Sequence, residues 1–235
     1  MHVFYQPDIS NNSVTLSEEE SKHCTRVLRL KKGDTVHLTS GRGIQAIASI
    51  ADDNPKKCVL TIHERIAHTP RLTHLHVAIA PTKNFDRMEW FIEKATEIGI
   101  EEITFIECEH SERNKINKER CEKVAVSAMK QSKQWWLPKI HNIIPLKKFI
   151  ESPEKKSLKL IAWCETNQTN LLQEEIRKSS AGNFTFLIGP EGDFTAQEVE
   201  LAKAAGFIPV SLGENILRTE TAALYGCAIV KTFSK

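Results

Sequence analysis

Strand-like and helix-like segments alternate from Leu75 to the C-terminus, and this alternation constrains the fold more than any other feature. The strand candidates are LHVAIAP, ITFIEC, LKLIAWC, FTFLIG and FIPVSLG. The predicted helices begin near Phe85, Asn117, Thr169 and Thr195, and a last helix runs to Phe233. Such alternation is typical of a mainly parallel sheet with helices on both faces. Ligands of these sheets bind at the carboxyl ends of the strands, so the turns there are the first candidates for a site.

Local signals define several helix ends. The helix that begins near Phe85 places apolar residues on one face and should end at Gly99, since glycine favours the left-handed turn after a helix. Thr195 and Glu198 have the spacing of a capping box. Thr219 is the expected N-cap of the last helix.

The first seventy residues are predicted to be β-rich, with one short helix capped by Ser17. The runs VFYQ, DTVHLTS, IQAIASI and KCVLTIHERI are rich in β-branched residues, and turn signals containing glycine separate them. This pattern predicts a small β-barrel or compact sheet. Residues 67–72, AHTPRL, are interpreted as a linker, which gives domains over 1–70 and 71–235.

Composition and chain ends narrow the class of protein. The 235 residues are 40% hydrophobic, which is enough for a substantial core. No run approaches the roughly 18 apolar residues of a spanning helix, and the N-terminus does not resemble a signal peptide, so a cytoplasmic location without membrane partners is expected. The six cysteines lack C-x-x-C spacing and are predicted to be reduced. His74 and His76 have no carboxylate or thiol at ligand spacing, so no metal site is expected.

A cluster of cations lies between Ser21 and Gly33, although the net charge is only +2. The five cations, uninterrupted by any acid, are Lys22, Arg26, Arg29, Lys31 and Lys32. Such a run can contact the phosphates of a nucleic acid. Taken alone, the simpler interpretation is a solvated protein surface.

Three turns follow predicted strands in the last third of the chain: Trp163–Thr166, Gly189–Gly192 and Leu212–Asn215. The second has glycines around a proline and a carboxylate, which would let backbone pass close to a ligand. The chain has no P-loop, and no G-x-G-x-x-G stands at a strand–helix turn. A nucleoside-like ligand is therefore favoured over a triphosphate or a dinucleotide, and a purely structural turn is the alternative.

The sequence GPEGDFT at 189–195, followed by SLGENILRTETAAL at 211–224, resembles the signature of the RsmE family of knotted SPOUT RNA methyltransferases. HCTRVLRLKKGD at 23–34 is similar to the RNA-binding motif of that family. Further motifs in the same order are Lys83 with DRME at 86–89, EKATEIG at 93–99 and SER at 111–113. Several separated motifs in order are more specific than any one of them.

The resemblance implies an α/β protein: a SPOUT methyltransferase domain with a mainly parallel sheet and a trefoil knot, preceded by a small PUA-like β-barrel domain. It implies S-adenosyl-L-methionine as cofactor, N3 of a uridine in 16S ribosomal RNA of the small subunit as target, and a homodimer in which two subunits complete the site. The cofactor contacts it implies are Glu165, Thr166, Gly189, Pro190, Glu191, Gly192, Leu212, Gly213, Ile216, Leu217, Thr219 and Thr221.

The implied reaction needs a group that deals with a proton, because N3 of uridine is protonated before methylation. Arg218 is expected to stabilise the developing uridine anion or the carbonyl oxygens of the base, and Glu220 is expected either to orient Arg218 or to accept the proton. Besides the five cations of the first domain, the implied RNA contacts are Lys83, Arg87 and Arg113.

The chain departs from the family pattern on the second predicted helix, where Lys130 and Gln134 replace an acid and an arginine. Trp135 and Trp136, which follow, could stack on an RNA base or pack within the protein. Two rival functions are an RNA-binding ribosome-assembly factor without catalysis and a methyltransferase of the ribose 2'-hydroxyl. The intact GPEG and LRTETA motifs weigh against the first rival, and the HCTRVLRLKKGD motif weighs against the second.

Overall fold

In a computed structural model, the structure describes residues 1–152, 156–165 and 170–234. The chain divides into two compact units, one of Met1–Pro70 with Val126–Leu137 and one of Arg71–Ala125 with Pro138–Lys235. The segment Val126–Leu137, which follows the linker by more than fifty residues, thus groups with the N-terminal residues. The functions assigned to the two predicted domains stay predictions.

The first unit is built on a five-stranded sheet in the order β1-β3-β4-β5-β2. Its strands are β1 (Val3–Tyr5), β2 (Ser13–Thr15), β3 (Thr35–Thr39), β4 (Ile44–Asp52) and β5 (Val59–Ala67). β1 pairs with β3 in parallel and the other neighbours are antiparallel. Helix α1 (Glu18–Lys22) continues into a π-helical turn (His23–Val27). Ser17 is confirmed as the N-cap, because its side chain accepts a hydrogen bond from the amide of Glu20.

The second unit contains a six-stranded sheet in the order β11-β9-β10-β6-β7-β8. The strands are β6 (His74–Ile79), β7 (Glu102–Glu107), β8 (Lys139–Pro145), β9 (Leu158–Ala162), β10 (Asn183–Ile188) and β11 (Ile208–Val210). Every pair of neighbours is parallel, which confirms the predicted parallel sheet. β8 and the short helix α4 (Leu146–Ile150) after it were not predicted.

Helices cover both faces of this sheet. Besides α4, the helices after β6 are α2 (Asp86–Ile98), α3 (Lys118–Gln131), α5 (Leu172–Lys178), α6 (Ala196–Ala204) and α7 (Thr219–Phe233). Of these, α3 begins in the second unit and ends in the first. Phe186 of β10 lies against Gly226 of α7, so closely that a Cβ at 226 would be 2.1 Å from the ring. The next residue, Leu187, belongs to the apolar cluster that holds Leu146 of α4 and Val199 of α6. Successive strand residues point to opposite faces, so α7 covers one face while α4 and α6 cover the other.

The helix ends largely follow the predictions. Gly99, with φ 95°, ends α2, and Thr195 with Glu198 forms the capping box of α6. The prediction for α7 was wrong: Arg218 is the N-cap and Thr219 is the first helical residue, with its side chain buried. Arg218 has extended backbone angles and makes no capping bond through its side chain. The predicted helix start at Thr169 lies outside the described residues, and the trefoil knot stays a prediction.

Candidate active site

A cavity of about 440 Å³ lies where β9, β10 and β11 end. These strands are neighbours in the sheet, so their carboxyl ends bring three sequence-distant turns together. The lining residues are Arg87, Ala162, Trp163, Cys164, Ile188, Gly189, Pro190, Glu191, Asp193, Val210, Ser211, Leu212, Gly213, Glu214, Asn215, Ile216, Leu217, Arg218, Thr219 and Ala222. The cavity therefore lies at the strand ends, where ligands of parallel sheets bind.

Most of the predicted cofactor contacts line this cavity: Gly189, Pro190, Glu191, Leu212, Gly213, Ile216, Leu217 and Thr219. Glu165, Gly192 and Thr221 are not among its lining residues, and neither is Glu220. Thr166 lies outside the described residues. Trp163 and Cys164 line the cavity but were not predicted as contacts, although their position directly after β9 was the available signal.

Arg87 joins two carboxylates beside the cavity. Its Nη1 lies 3.9 Å from Oε1 of Glu191, and its Nε lies 3.8 Å from Oε1 of Glu220. The Glu220 side chain is only 9% exposed, and its Oε2 is buried without a hydrogen bond from the described residues. Within the described part of the chain, no ion pair joins Glu220 to Arg218. The cavity wall also carries Glu214, so the site presents charges of both signs.

The segment before α2 is fixed by Arg113. Its Nε donates to the carbonyl of Thr82 at 3.3 Å and its Nη2 donates to the carbonyl of Lys83 at 2.8 Å. The guanidinium also lies over the ring of Phe85, 5.4 Å from the centroid. Lys83 is exposed and its Nζ lies 2.9 Å from Glu112. Arg113 therefore holds the backbone that presents Lys83.

The 189–195 loop, between β10 and α6, is held in shape by internal contacts. Asp193 adopts a left-handed conformation with φ 58°, and its carboxylate accepts hydrogen bonds from the amides of Cys164 and Phe194. A Cβ at Gly189 would lie 3.0 Å from the ring of Phe194. Glycine at 189 thus allows a close approach to Phe194. Burial and the nearby Asp193 carboxylate raise the pKa of the Cys164 thiol to about 11, which disfavours the reactive thiolate.

The five predicted RNA-binding cations of the first unit are all exposed. Lys22 pairs with Glu18 at 2.6 Å and Lys31 lies 3.9 Å from Asp53. Arg26, Arg29 and Lys32 make no ion pair with any described residue. Arg26 lies within the π-helical turn, and Arg29, two residues after that turn, has a left-handed φ of 57°.

Lys130, one of the two positions that depart from the family pattern, and the two tryptophans after Gln134 have partners within the first unit. Nζ of Lys130 lies 2.5 Å from Oε1 of Glu20, and both side chains are largely buried. The ring of Trp135 stacks on His68 with centroids 5.1 Å apart. The indole of Trp136 lies close enough to Gly43 that a Cβ there would clash with it. Packing within the protein is therefore the observed role of both tryptophans.

A second cavity, of about 490 Å³, lies at the amino ends of β6, β7, β8 and β10. There Nε2 of His141 lies 2.5 Å from Oε1 of Glu102, and Nε2 of His74 lies 3.6 Å from Oε2. Burial opposes ionisation of Glu102, but His76, His141 and Lys139 outweigh it, so the pKa of Glu102 is below its ordinary value. No group of three or more potential ligands among the described residues could hold a metal ion.

Comparison with known proteins identifies the family. The RNA methyltransferase domain family matches residues 69–231. The chain belongs to this RNA methyltransferase family. The RNA methyltransferase PUA domain matches residues 16–62, which lie in the first unit. The described part of this RNA methyltransferase contains no helix long and apolar enough to span a membrane, and its six cysteines are free thiols.

Individual relatives confirm the resemblance noted in the motifs. A ribosomal RNA small subunit methyltransferase E of Buchnera aphidicola is 29% identical over 98% of this chain and 92% of its own. The crystal structure of a probable rRNA methyltransferase from Porphyromonas gingivalis is 42% identical, covers 100% of this chain and 98% of its own, and has a TM-score of 0.91. A ribosomal RNA small subunit methyltransferase E from Neisseria gonorrhoeae, solved bound to S-adenosyl methionine, is 26% identical with the same coverage and a TM-score of 0.87.

Proposed function

We propose that this chain transfers a methyl group from S-adenosyl-L-methionine to N3 of a uridine in the RNA of the small ribosomal subunit. The observation that carries the proposal is the cavity at the ends of β9, β10 and β11, formed by the same turns that hold the RsmE-like motifs. The relatives named as ribosomal RNA small subunit methyltransferase E support the choice of substrate.

The cavity fits the proposed cofactor in size and chemistry. Its volume of about 440 Å³ falls within the ~300–1,000 Å³ of small-molecule sites. Ile188, Val210 and Leu217 provide apolar surface for an adenosine. Arg87 and Glu214 provide charges of both signs for a ligand that carries a carboxylate and a sulfonium. The residues that would hold the cofactor are the predicted contacts that line the cavity. When bound, S-adenosylmethionine supplies the electrophilic methyl carbon.

The work of the protein side chains is to orient the base and to remove its N3 proton. Arg218 is exposed at the cavity wall, where its guanidinium can stabilise the negative charge of a deprotonated uridine. Glu220 pairs with Arg87 rather than with Arg218, so it does not orient Arg218 directly. Its Oε2 has no hydrogen-bond donor among the described residues. Proton acceptance is therefore the role of Glu220 that we favour.

RNA binding in this proposal uses both units of the chain. The exposed cations Arg26, Arg29 and Lys32 of the first unit are free of ion pairs with described residues, so they can contact phosphates without losing an internal partner. Lys83, presented by Arg113, is the proposed phosphate contact of the second unit. The target base must leave any pairing before it reaches the cavity.

A homodimer is part of the proposal. Trp90 of α2 is 43% exposed and Tyr225 of α7 is 45% exposed, and these two helices pack against each other. Large aromatic side chains at such exposure are typical of protein interfaces. We propose that a second copy of the chain covers them. The proposed substrate also places the protein in the cytoplasm, where bacterial ribosomes assemble.

The test is methylation of small ribosomal subunits and of their isolated RNA, both taken from cells that lack this modification. Mass spectrometry of the digested RNA should detect N3-methyluridine with the wild type. Arg218→Ala should lower the rate at saturating cofactor by at least about 10²-fold, as loss of an anion stabiliser does. The matched control is Arg177→Ala, an exposed arginine of α5 outside the cavity lining.

Other products would contradict the proposal in different ways. A methyl group on the ribose 2'-oxygen would favour the ribose methyltransferase alternative. Tight RNA binding without cofactor binding or methylation would favour a ribosome-assembly factor.

A further inference from the structure

His110, in the loop after β7, contacts the 189–195 loop that forms one wall of the cavity. Its Nδ1 lies 2.9 Å from the carbonyl oxygen of Gly192 and 3.1 Å from that of Asp193. Both carbonyls can only accept hydrogen bonds, so Nδ1 carries a proton and donates to them. The imidazole itself does not line the cavity.

The loop and the imidazole approach each other closely. A Cβ at Gly192 would lie 3.1 Å from Cβ of His110 and 3.4 Å from its Cγ. A side chain at 192 would therefore displace His110 or the loop. The contact with His110 therefore explains why position 192 is a glycine, although the sequence suggested that this glycine allows a close approach to a ligand.

The neighbouring residue extends the same contact to α6. The amide of Glu109 donates to Oε1 of Glu198, while Oε2 of Glu198 accepts from the amide of Thr195 in the capping box. The loop after β7 thus contacts both the 189–195 loop and the first turn of the helix that follows it. On the other side, Asp193 bonds the amide of Cys164. The cavity wall is held from two directions.

We propose that His110 is a positioning residue that holds the 189–195 loop in the shape that closes the cofactor cavity. His110 sets cofactor affinity and leaves the chemical step to other residues. This role rests on the proposed function, because it presumes that the cavity binds the methyl donor.

The charge on His110 strengthens the contact. Hydrogen bonds to the carbonyls of Asp193 and Gly192 raise the pKa of His110, with Glu109 and Glu198 adding to the effect. A raised pKa means that the charge-assisted bond is fully present below the ordinary value of 6.5 and weakens as pH rises through the folded value. The neutral ring keeps a weaker bond through its Nδ1 proton. Cofactor affinity should therefore decrease as pH rises through this range.

The experiment is isothermal titration of the full chain with S-adenosylhomocysteine at several pH values. His110→Ala should raise Kd by about tenfold at pH 6, the effect of roughly one lost hydrogen bond. His110→Asn should stay within about threefold of wild type, because the amide nitrogen of Asn can donate near the position of Nδ1. Asparagine has no charge to lose, so the affinity of His110→Asn for S-adenosylhomocysteine should not change with pH as that of the wild type does. Turnover at saturating cofactor should be the same in all three proteins.

The control is His63→Ala, a histidine of the first unit that contacts Ser49 and should leave cofactor binding unchanged. The proposal is overturned if His110→Ala binds S-adenosylhomocysteine like the wild type. It is also overturned if His110→Asn loses as much affinity as the alanine variant and its melting temperature is lowered. Absence of saturable binding by the wild type would instead overturn the proposed function, and this role with it.

Discussion

The Nε atom of Arg87 lies 3.8 Å from Oε1 of Glu220, whose carboxylate is almost completely buried at the start of α7. The same guanidinium reaches Glu191 on the 189–195 loop. One guanidinium thereby lies close to two carboxylates, one on the 189–195 loop and one at the start of α7. Glu220 is left with one buried oxygen that no described residue donates to, and its chain neighbour Thr219 lines the cofactor cavity.

Glu220→Gln tests whether that oxygen accepts the N3 proton. The amide keeps the shape of the side chain but cannot act as a base. Methylation at saturating cofactor should fall by about 10²–10⁴-fold, while Kd for S-adenosylhomocysteine should change little. Glu200→Gln, an exposed acid of α6 paired with Lys203, is the control. A wild-type rate in Glu220→Gln would exclude proton acceptance by this residue.

Acid should destabilise the second unit through Glu102. Because its pKa is lower in the folded chain than the ordinary 4.5, its stabilising effect is fully present above that value and is lost as pH falls through the folded pKa. The free energy of unfolding, measured by urea titration between pH 7 and pH 3, should fall less steeply in Glu102→Gln than in the wild type. Glu93→Gln, which removes a half-buried acid paired with Lys94, should follow the wild-type curve. Parallel curves for Glu102→Gln and wild type would show that Glu102 does not control the stability of the protein in acid.

The exposed cations of the first unit should set the salt dependence of RNA binding. In the double variant Arg26→Ala with Arg29→Ala, the slope of log Kd against log salt should decrease by about 1 for each phosphate contact removed. Filter binding to small-subunit RNA at salt concentrations from about 50 to about 300 mM measures this slope. Lys123→Ala, an exposed cation of α3, should leave the slope unchanged. An unchanged slope in the double variant would mean that the cluster is only a solvated surface.

Tyr225→Glu should separate the proposed dimer. A charge introduced into an apolar interface must be desolvated without a partner, which favours the monomer. Sedimentation velocity should show a dimer for the wild type and a monomer for the variant. Leu72→Glu changes a residue that is 87% exposed outside α2 and α7, and should remain dimeric. A monomeric wild type would contradict the proposal directly.

Local signals were sufficient for much of the fold. The capping box at Thr195, the N-cap at Ser17 and the left-handed Gly99 each depend on a few neighbouring residues, so the sequence alone indicates them. The position of the cavity could also be predicted from the sequence. Apolar runs marked β9, β10 and β11, and the parallel arrangement requires their ends to meet.

Features that depend on distant contacts were missed. β8 is an edge strand in which only Ile140 is buried, so Lys139–Pro145 lacks the strong apolar pattern of the inner strands. The contact of His110 with Gly192 joins residues 82 positions apart, and no spacing rule connects them. Thr219 carries a typical capping side chain, but the extended backbone of Arg218 places the helix boundary one residue earlier.

β11 pairs with β9 and not with β10, the strand that comes between them in the chain. The three turns around the cavity therefore become neighbours only after the last strand has taken its place at the sheet edge. A polypeptide still being translated therefore has no complete cavity until the residues up to Ala222, the last that line it, have emerged from the exit tunnel. The site is thus assembled as a whole and not turn by turn, because β11 supplies one of its three sides.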